Sequence, residues 1–240
     1  MKWFLYGVMI LVLVGCAGQA AVPTPAPQAP ATPTALAVVE PTVLATVEVQ
    51  ATPDASIMPV TVRQFVIDAT QSSAQYAVNE VFLSENRPYR AVGTTNTVSG
   101  EFVVATEGVP AGKVTKIQVD LRTLQSDSGR RDNAIRERWL ESNTYPYAEF
   151  VSTNALNLPE SYQPGSQVSF NLVGDMTIHG VTKSVEWLVD GTLTGDTVQG
   201  QATTTINMSD FGITAPNIAN MIKVEDEVEL KVQFVATAQP

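Results

Sequence analysis

Few side chains in this sequence could carry out acid-base, nucleophilic or metal chemistry. His179 is the single histidine, and it precedes Gly180 in a segment that favours a tight turn, so we expect an exposed turn residue. With one histidine and one cysteine, Cys16, the chain lacks the ligands of an ordinary zinc site. A serine triad would lack a credible base. We therefore predict no catalytic residues, no metal site and no enzyme activity.

Two clusters of charged residues are candidates for binding functions other than catalysis. Arg131, within the run Arg130-Arg131-Asp132, could hold a ligand carboxylate or phosphate, because a guanidinium group binds such anions through two hydrogen bonds. A structural ion pair is the alternative role for this arginine. The acidic run 225–227 lacks the spaced oxygen ligands of a calcium loop, and we interpret it as a solvated strand edge.

The amino-terminal segment has the features of an export signal. Lys2 precedes an apolar run over residues 3–14, which is too short for a stable transmembrane helix and is typical of a signal peptide. The run ends in Leu-Val-Gly-Cys at 13–16, which resembles the lipobox of bacterial lipoproteins. The resemblance implies that residues 1–16 form a lipoprotein signal peptide and that Cys16 is acylated. A free cysteine in an ordinary signal peptide or membrane anchor is the alternative.

Residues 17–59 have the composition of a linker. They contain eight prolines and neither lysine nor arginine, with alanine, threonine and valine between the prolines. Such a segment offers too few large side chains to offset the entropy of ordering, so we predict a disordered tether. Together with acylation at Cys16, it predicts an extracytoplasmic domain anchored to the cell membrane or outer membrane, in the periplasm or at the cell surface.

The net charge excludes one class of partner. At −10, and without a lysine- or arginine-rich run, the chain lacks the basic surface that nucleic acids require. We therefore expect no nucleic-acid partner. A homodimer stays open at this point, since the sequence carries no signal for or against it.

From residue 60 onward, apolar and polar residues alternate with the period of half-buried strands. Short turns such as His179-Gly180 separate consecutive candidates and favour antiparallel neighbours. Eight or nine strands in one domain over residues 60–240 either stack as a sandwich or close into a barrel, and closure removes exposed edges. The candidate strands are 62–68, 74–82, 97–104, 114–122, 148–156, 167–178, 182–193, 197–208 and 224–237.

One segment interrupts the β pattern. Over residues 128–140, Ile135, Trp139 and Leu140 recur at helical spacing among charged residues, which predicts a short amphipathic α-helix. Asp127 or Ser128 can cap its start. We expect the helix to lie over one end of the barrel with Trp139 directed inward.

Several motifs follow one another in a recognisable order. The longest is Gly-Asp-Met-Thr-Ile-His-Gly-Val-Thr-Lys at 174–183, and shorter ones include Phe-Val-Ile-Asp at 65–68, Val-Ser-Gly-Glu-Phe at 98–102 and Asp-Phe-Gly-Ile at 210–213. In this order they resemble the YceI family of bacterial lipid-binding domains. The resemblance covers most of residues 60–237 and implies a lipocalin-like barrel of about eight strands. It departs from the family after Ser72-Ser73, and an extra loop including residues 86–90 follows.

The family resemblance implies a function. Such a barrel holds the apolar tail of a polyisoprenoid, quinone or related lipid without converting it, and it needs no cofactor besides that bound lipid. The candidate lumen residues are large side chains on or beside predicted strands, which alternation directs inward. They are Tyr76, Phe102, Leu121, Trp139, Phe150, Phe170, Trp187, Ile206 and Phe211, with Arg131 as a headgroup contact.

Two other functions fit the same residues. The large side chains could fill a small barrel completely, and its loops at 87–97 or 216–223 would then bind a protein partner. An enzyme of unfamiliar type would depend on His179 and Arg131.

Overall fold

The computed structural model of the chain describes residues 61–107, 115–159 and 163–239. The predicted signal peptide of residues 1–16, the acylated Cys16 and the linker of residues 17–59 lie outside the described residues. Within the described ranges the chain is almost entirely antiparallel β-structure, as the alternating pattern predicted. None of the helices described there is long and apolar enough to cross a membrane.

Twelve strands form one sheet in the described part of the chain. The strands are β1 (Thr61–Ile67), β2 (Ser73–Phe82), β3 (Arg87–Thr95), β4 (Val98–Glu107), β5 (Lys116–Asp120), β6 (Gln125–Ser126), β7 (Tyr147–Leu156), β8 (Gln167–Ile178), β9 (Val181–Thr194), β10 (Thr197–Asn207), β11 (Asn217–Ile218) and β12 (Ile222–Ala238). The helical segments are α1 (Gly129–Ala134), a π-helical turn (Ile135–Trp139) and two 3-10 turns (Leu121–Thr123 and Met208–Phe211).

The described strands close into a barrel of eight antiparallel staves, where a stave is one full-length wall strand. Each of the first three staves is interrupted once. β1 and β2 form the first stave, β3 and β4 the second, and β5 and β6 the third. On one side β12 pairs with β10 along its length, and on the other it pairs first with β2 and then with β1. This last pairing closes the sheet and confirms the predicted lipocalin-like barrel.

One expected loop is instead a strand. Residues 87–97, considered above as a surface loop, mostly form β3, which pairs with β2 from Phe82↔Arg87 to Ala74↔Thr95. Pro88 made this strand hard to predict from the sequence, because proline is found in sheets mainly at strand edges that do not pair with another strand. Within the described ranges that edge is free, since β6 pairs there only with Gly93 and Thr94.

The hairpin between β8 and β9 has the tight turn that was predicted. His179 and Gly180 have φ values of 52° and 74° and connect the paired residues Ile178 and Val181. Two successive positive φ angles are typical of a type I′ turn, whose twist matches that of the flanking strands. His179 is less exposed than predicted, because its ring packs edge-on to that of Tyr145, with 4.8 Å between the centroids.

The acidic run 225–227 has a structural role. It lies where β12 bulges against β2, between the pairs Glu80↔Val224 and Val78↔Val228. There Asp226 accepts a hydrogen bond from the Ser209 backbone amide at 2.9 Å, which satisfies a free donor of the second 3-10 turn.

The barrel has two different ends. At the end that we call the closed end, Phe65, Val98 and Ala236 are completely or almost completely buried in an apolar cluster. The opposite end, which we call the open end, carries the β2–β3 hairpin, the helical segment 129–139 and the connection from β10 to β12. β1 and β2 form one stave that runs from Thr61 to Phe82. Since Phe82 lies at the open end, Thr61 lies at the closed end.

The helical segment begins at the predicted cap. The Ser128 hydroxyl accepts a hydrogen bond from the Arg131 backbone amide at 3.4 Å. The segment is α-helical only to Ala134 and continues as a π-helical turn to Trp139. This turn lies between β6 and β7, which do not pair with each other in the described part of the chain, so helical side chains complete that part of the wall.

Candidate functional site: an apolar barrel lumen

An apolar cavity of about 560 Å³ lies inside the barrel. Its wall includes inward side chains from β2, β3, β5, β7, β8, β9, β10 and β12, together with the helical segment. Its outer part is lined by the exposed residues Ser84, Arg130, Ile218 and Met221, which place the mouth at the open end. At the other end the Phe65 cluster closes it.

Most of the predicted lumen residues line this cavity. The structure brings together Tyr76, Leu121, Trp139, Phe150, Trp187, Ile206 and Phe211 on its wall, with Arg131 towards the mouth. Trp139 points inward from the end of the helical segment, as expected. Phe150 and Trp187 meet edge to face with their ring centroids 6.1 Å apart.

Two predicted lumen residues lie outside the cavity lining. Phe102 stacks on Phe65 with 5.7 Å between ring centroids and meets Phe234 edge-on at 5.9 Å, so it helps to close the barrel. Phe170 packs against the main apolar cluster without lining the cavity. The alternation of apolar and polar residues predicted that both side chains point into the barrel. It did not predict how far along the barrel axis each side chain lies.

Small residues, which the sequence analysis overlooked, explain why the interior is not filled. Ala74 and Ala91 are buried, line the cavity and leave space beside larger neighbours. Gly93 lies opposite Tyr76, and a Cβ atom there would be 2.2 Å from the Tyr76 ring. Small residues at inward positions of β2 and β3 were therefore the available signal for a cavity.

A charged cluster lies where the helical segment meets β2. The Arg131 guanidinium donates to Glu80 Oε1 at 3.0 Å and to the Asp127 carboxylate. The side chain of Glu80 is 4% exposed, so this contact neutralises a carboxylate that is almost fully buried. The Tyr89 hydroxyl also donates to Asp127 and holds the pKa of that carboxyl below its usual value. Arg131 thus has the structural ion pair considered as its alternative role.

Two buried donors on the cavity wall have no partner among the described protein groups. They are the Tyr76 hydroxyl and the Trp187 indole N–H. Burial raises the pKa of the Tyr76 phenol to about 12, so this group remains a neutral donor at physiological pH. Other atoms of both residues line the cavity, whereas these two polar atoms are themselves buried.

His179 is separate from this lumen, and its Nε2 atom has no hydrogen-bond partner among the described residues. Its Nε2 atom is 3.7 Å from Glu141 Oε2, beyond hydrogen-bond distance, and the residue does not line the cavity. No group of three or more histidine, cysteine, aspartate or glutamate residues within the described ranges is arranged to hold a metal ion.

A closed antiparallel barrel with an apolar lumen open at one end defines the lipocalin-like class of β-barrels. The sequence model described as the YceI-like domain matches residues 65–236. The chain therefore belongs to the YceI-like family, as its motif order indicated.

Similar proteins of known sequence include two described as UPF0312 proteins. The one from Pseudomonas putida strain W619 is 36% identical over 113 residues, 43% of this chain and 55% of that protein. The one from Vibrio vulnificus strain YJ016 is 29% identical over 144 residues, 57% of this chain and 72% of that protein. The chain spans about half the length of the Pseudomonas relative.

Two solved structures share the fold. Burkholderia cenocepacia BcnA aligns with a TM-score of 0.53 and 21% identity, over 71% of this chain and 99% of that protein. A polyisoprenoid binding domain from Saccharophagus degradans, implicated in plant cell wall breakdown, aligns with a TM-score of 0.57 and 15% identity, over 73% and 98% of the two chains.

Proposed function

We propose that this chain is a lipid-anchored extracytoplasmic protein that holds an apolar, long-chain ligand of the polyisoprenoid type in its barrel lumen. The observation that carries the proposal is the cavity of about 560 Å³, which is lined mainly by apolar side chains and is open at one end. The family membership and the polyisoprenoid binding described for the Saccharophagus domain support this ligand class.

The cavity suits a flexible hydrocarbon chain. Its size is within the range of about 300 to 1,000 Å³ that is usual for ligand cavities. Each methylene group that leaves water for such a lumen contributes about 0.8 kcal/mol. A few isoprene units therefore supply enough binding free energy to exceed the entropic cost of association.

Binding without chemical conversion is the activity that the lumen residues support. Catalysis by proton transfer needs a titratable group within hydrogen-bond reach of the substrate. Among the charged residues that line the lumen, Arg131 and Glu80 are already paired with each other. His179 lies outside the cavity lining, so the alternative of an enzyme that depends on His179 and Arg131 receives no support from their positions.

The described barrel begins at the closed end, where Thr61 starts β1, and the mouth lies at the other end. The extracytoplasmic location and the acylation are part of the proposal and rest on the lipobox-like sequence.

Extraction of the purified protein tests the proposal directly. Organic extraction followed by mass spectrometry is expected to release an apolar compound in stoichiometric amount. A protein that releases none and also fails to bind added prenyl lipids would contradict the proposal.

Two matched substitutions locate the ligand. Leu230 lines the lumen and Leu188 is 45% exposed on the outer wall, so Leu230→Trp adds bulk inside and Leu188→Trp adds it outside. We expect the first variant to lose most of its bound ligand and the second to retain it. Equal ligand content in two folded variants would mean that the ligand binds elsewhere.

The alternative of a filled barrel that acts only through its surface predicts a solid interior. The cavity is the opposite of that expectation, and one of the two loops assigned to surface binding is the strand β3. These observations favour the lumen over the surface as the functional site.

A further inference from the structure

Exposed apolar side chains lie together on one side of the mouth. Leu83, Ile218 and Met221 are 43%, 41% and 55% exposed, and they belong to the tips of two neighbouring hairpins, β2–β3 and β11–β12. We call these three residues the apolar lip. Large apolar side chains that are exposed next to one another mark a surface that is covered by something else during function.

The backbone of the apolar lip is fixed by hydrogen bonds. The Leu83 amide donates to the Met221 carbonyl at 2.8 Å, and the Met221 amide donates to the Ile218 carbonyl at 2.9 Å. Leu83 and Met221 follow directly on the last pair between β2 and β12, which is Phe82↔Ile222. Because this backbone is already ordered, covering its side chains costs little further conformational entropy.

The apolar lip is continuous with the lumen. Ile218 and Met221 line the outer part of the cavity, whereas Leu83 lies outside the cavity lining. The lip therefore extends from the inner wall of the lumen onto the outer surface of the barrel. Whatever covers the lip is consequently placed against the mouth.

Cationic side chains accompany the apolar lip. Lys223 is exposed two positions after Met221, and Arg130 is exposed at the rim on the helical segment. Neither belongs to an ion pair within the described residues, whereas Arg87 on the β2–β3 hairpin is paired with Glu85. Cations without an ion pair beside exposed apolar groups complement a surface that is anionic outside and apolar inside.

A bilayer matches this surface better than a protein does. A stable protein partner usually covers about 800 Å² of continuous surface. Three apolar side chains on hairpin tips offer much less, but they suffice to enter the headgroup region of a membrane, where lysine and arginine are attracted to anionic lipids. A long apolar ligand of the proposed class also partitions into bilayers.

We propose that the apolar lip docks on a phospholipid bilayer that contains anionic headgroups, with Lys223 and Arg130 beside those headgroups. The mouth of the barrel then opens onto the membrane surface. The proposal rests on the proposed lumen function for its consequence, which is that the ligand passes between bilayer and lumen without crossing water.

A single fluorescent label tests this docking. Cys16 is the only cysteine, so Leu83→Cys in a Cys16→Ser background gives the full chain one thiol, which is coupled to an environment-sensitive NBD fluorophore. Leu83 does not line the cavity, so a ligand inside the lumen leaves this label in water. With vesicles of phosphatidylcholine and phosphatidylglycerol we expect brighter, blue-shifted emission that nitroxide-labelled lipids quench.

Matched labels elsewhere on the barrel are the controls. Leu188→Cys places the label on the outer wall and Val62→Cys places it towards the closed end, both at exposed positions. Any vesicle binding through residues outside the barrel domain is common to all labelled proteins, but these two labels should stay in water. If near-ultraviolet circular dichroism shows that Leu83→Cys is not folded, Glu85→Cys at the same exposed hairpin tip carries the label.

A change of charge tests the role of the cations. Lys223→Gln should weaken binding of the labelled protein to phosphatidylglycerol vesicles by about fivefold and leave the weaker binding to pure phosphatidylcholine unchanged. Lys116→Gln removes an exposed cation at the start of β5, towards the closed end, and should bind as the parent protein does. Equal losses in the two variants would remove Lys223 from the proposed surface.

The outcomes separate the docking from the lumen function. Equal responses at positions 83, 188 and 62 would mean that the protein meets the bilayer without a preferred face, which overturns the proposal. A label at position 83 that ignores vesicles also overturns it, and a response there to detergent-solubilised membrane proteins would assign the lip to a protein partner. The lumen function fails separately, if the delipidated protein takes up no prenyl lipid added without vesicles.

Discussion

Arg131 joins the helical segment to the barrel wall through Glu80, with 3.0 Å between Arg131 Nη2 and Glu80 Oε1. The side chains of the pair are 18% and 4% exposed. The contact therefore holds the helix beside the mouth, and it explains why an arginine is needed on a helix that also lines an apolar lumen.

Removing this arginine should destabilise the barrel. Arg131→Met leaves the buried Glu80 carboxylate without its partner, which costs about 3 kcal/mol in the free energy of unfolding. The double variant Glu80→Gln with Arg131→Met should recover part of the loss, because no buried charge remains. Urea denaturation measures both.

The control for this prediction is Arg90→Met, which breaks the exposed pair between Arg90 and Glu229. We expect a much smaller effect, since exposed pairs contribute little. Similar losses for Arg90→Met and Arg131→Met would mean that the burial of Glu80 has no energetic consequence.

A second prediction concerns the close contact between Gly93 and Tyr76. Gly93→Ala places a Cβ atom 2.2 Å from Tyr76 Cε1, so either the ring or the strand must move. Overpacking of this kind costs about 1 to 3 kcal/mol. A double-mutant cycle with Tyr76→Ala should show that the two effects are not additive, because the smaller side chain removes the clash.

Gly129→Ala is the matched control for the glycine, because nothing lies within 4 Å of its Cβ position. It begins α1, where alanine is favourable, so stability should stay constant or rise. If Gly93→Ala and Gly129→Ala lose equal stability, the loss in Gly93→Ala does not come from a clash with Tyr76.

The sequence predicted the bounds of the strands better than it predicted the free space inside the barrel. Alternation located β8 with its observed bounds, and the His179-Gly180 turn followed from residue preferences alone. Alternation missed β3, because the inward positions of this strand include Ala91 and Gly93, whose small side chains do not form an apolar alternation. The same small residues create the cavity, because only contacts with neighbouring strands decide whether a small side chain leaves free space.

The placement of individual lumen residues was predictable only in part. Alternation directed Tyr76 and Phe102 inward, but the height of each along the axis depends on stave tilt and register. Phe102 consequently lies against Phe65 at the closed end, whereas Tyr76 lines the cavity. The partner of Arg131 was also not predictable, since Glu80 is fifty-one positions away in the sequence.

A third prediction concerns acid stability. The side chain of Arg122 holds the pKa of Asp120 below its ordinary value of 3.8, assisted by the Arg122 backbone amide. A lowered pKa in the folded state means that this stabilisation is fully present above pH 3.8 and is lost as the pH falls through the lower folded value. Asp120→Asn should therefore be less stable than the parent protein near neutral pH, and the difference should shrink on acidification.

Thermal unfolding at a series of pH values from about 7 to about 2 checks this prediction. A stability difference between the parent and Asp120→Asn that does not change with pH would show that the loss comes from packing alone.

A fourth prediction concerns the proposed lipid anchor. Cys16→Ala removes the thiol that would be acylated, so the protein should move from the membrane fraction to the soluble fraction and incorporate no labelled fatty acid. The barrel should still bind prenyl lipids, because Cys16 lies outside the barrel domain. Continued membrane retention of this variant, with no label in either protein, would contradict acylation at Cys16.

The last prediction concerns the route into the lumen. Ile218 and Met221 are 41% and 55% exposed beside the mouth, and the Leu83 backbone amide donates to the Met221 carbonyl at 2.8 Å. If ligand enters there, Met221→Glu adds a charge that an apolar chain must pass, and uptake from vesicles should slow several-fold. Equilibrium affinity should change little, because the residue lies at the entrance and the chain comes to rest deeper. Leu188→Glu, on the outer wall, is the control, and stopped-flow uptake rates that fall equally in both variants would place the entrance elsewhere.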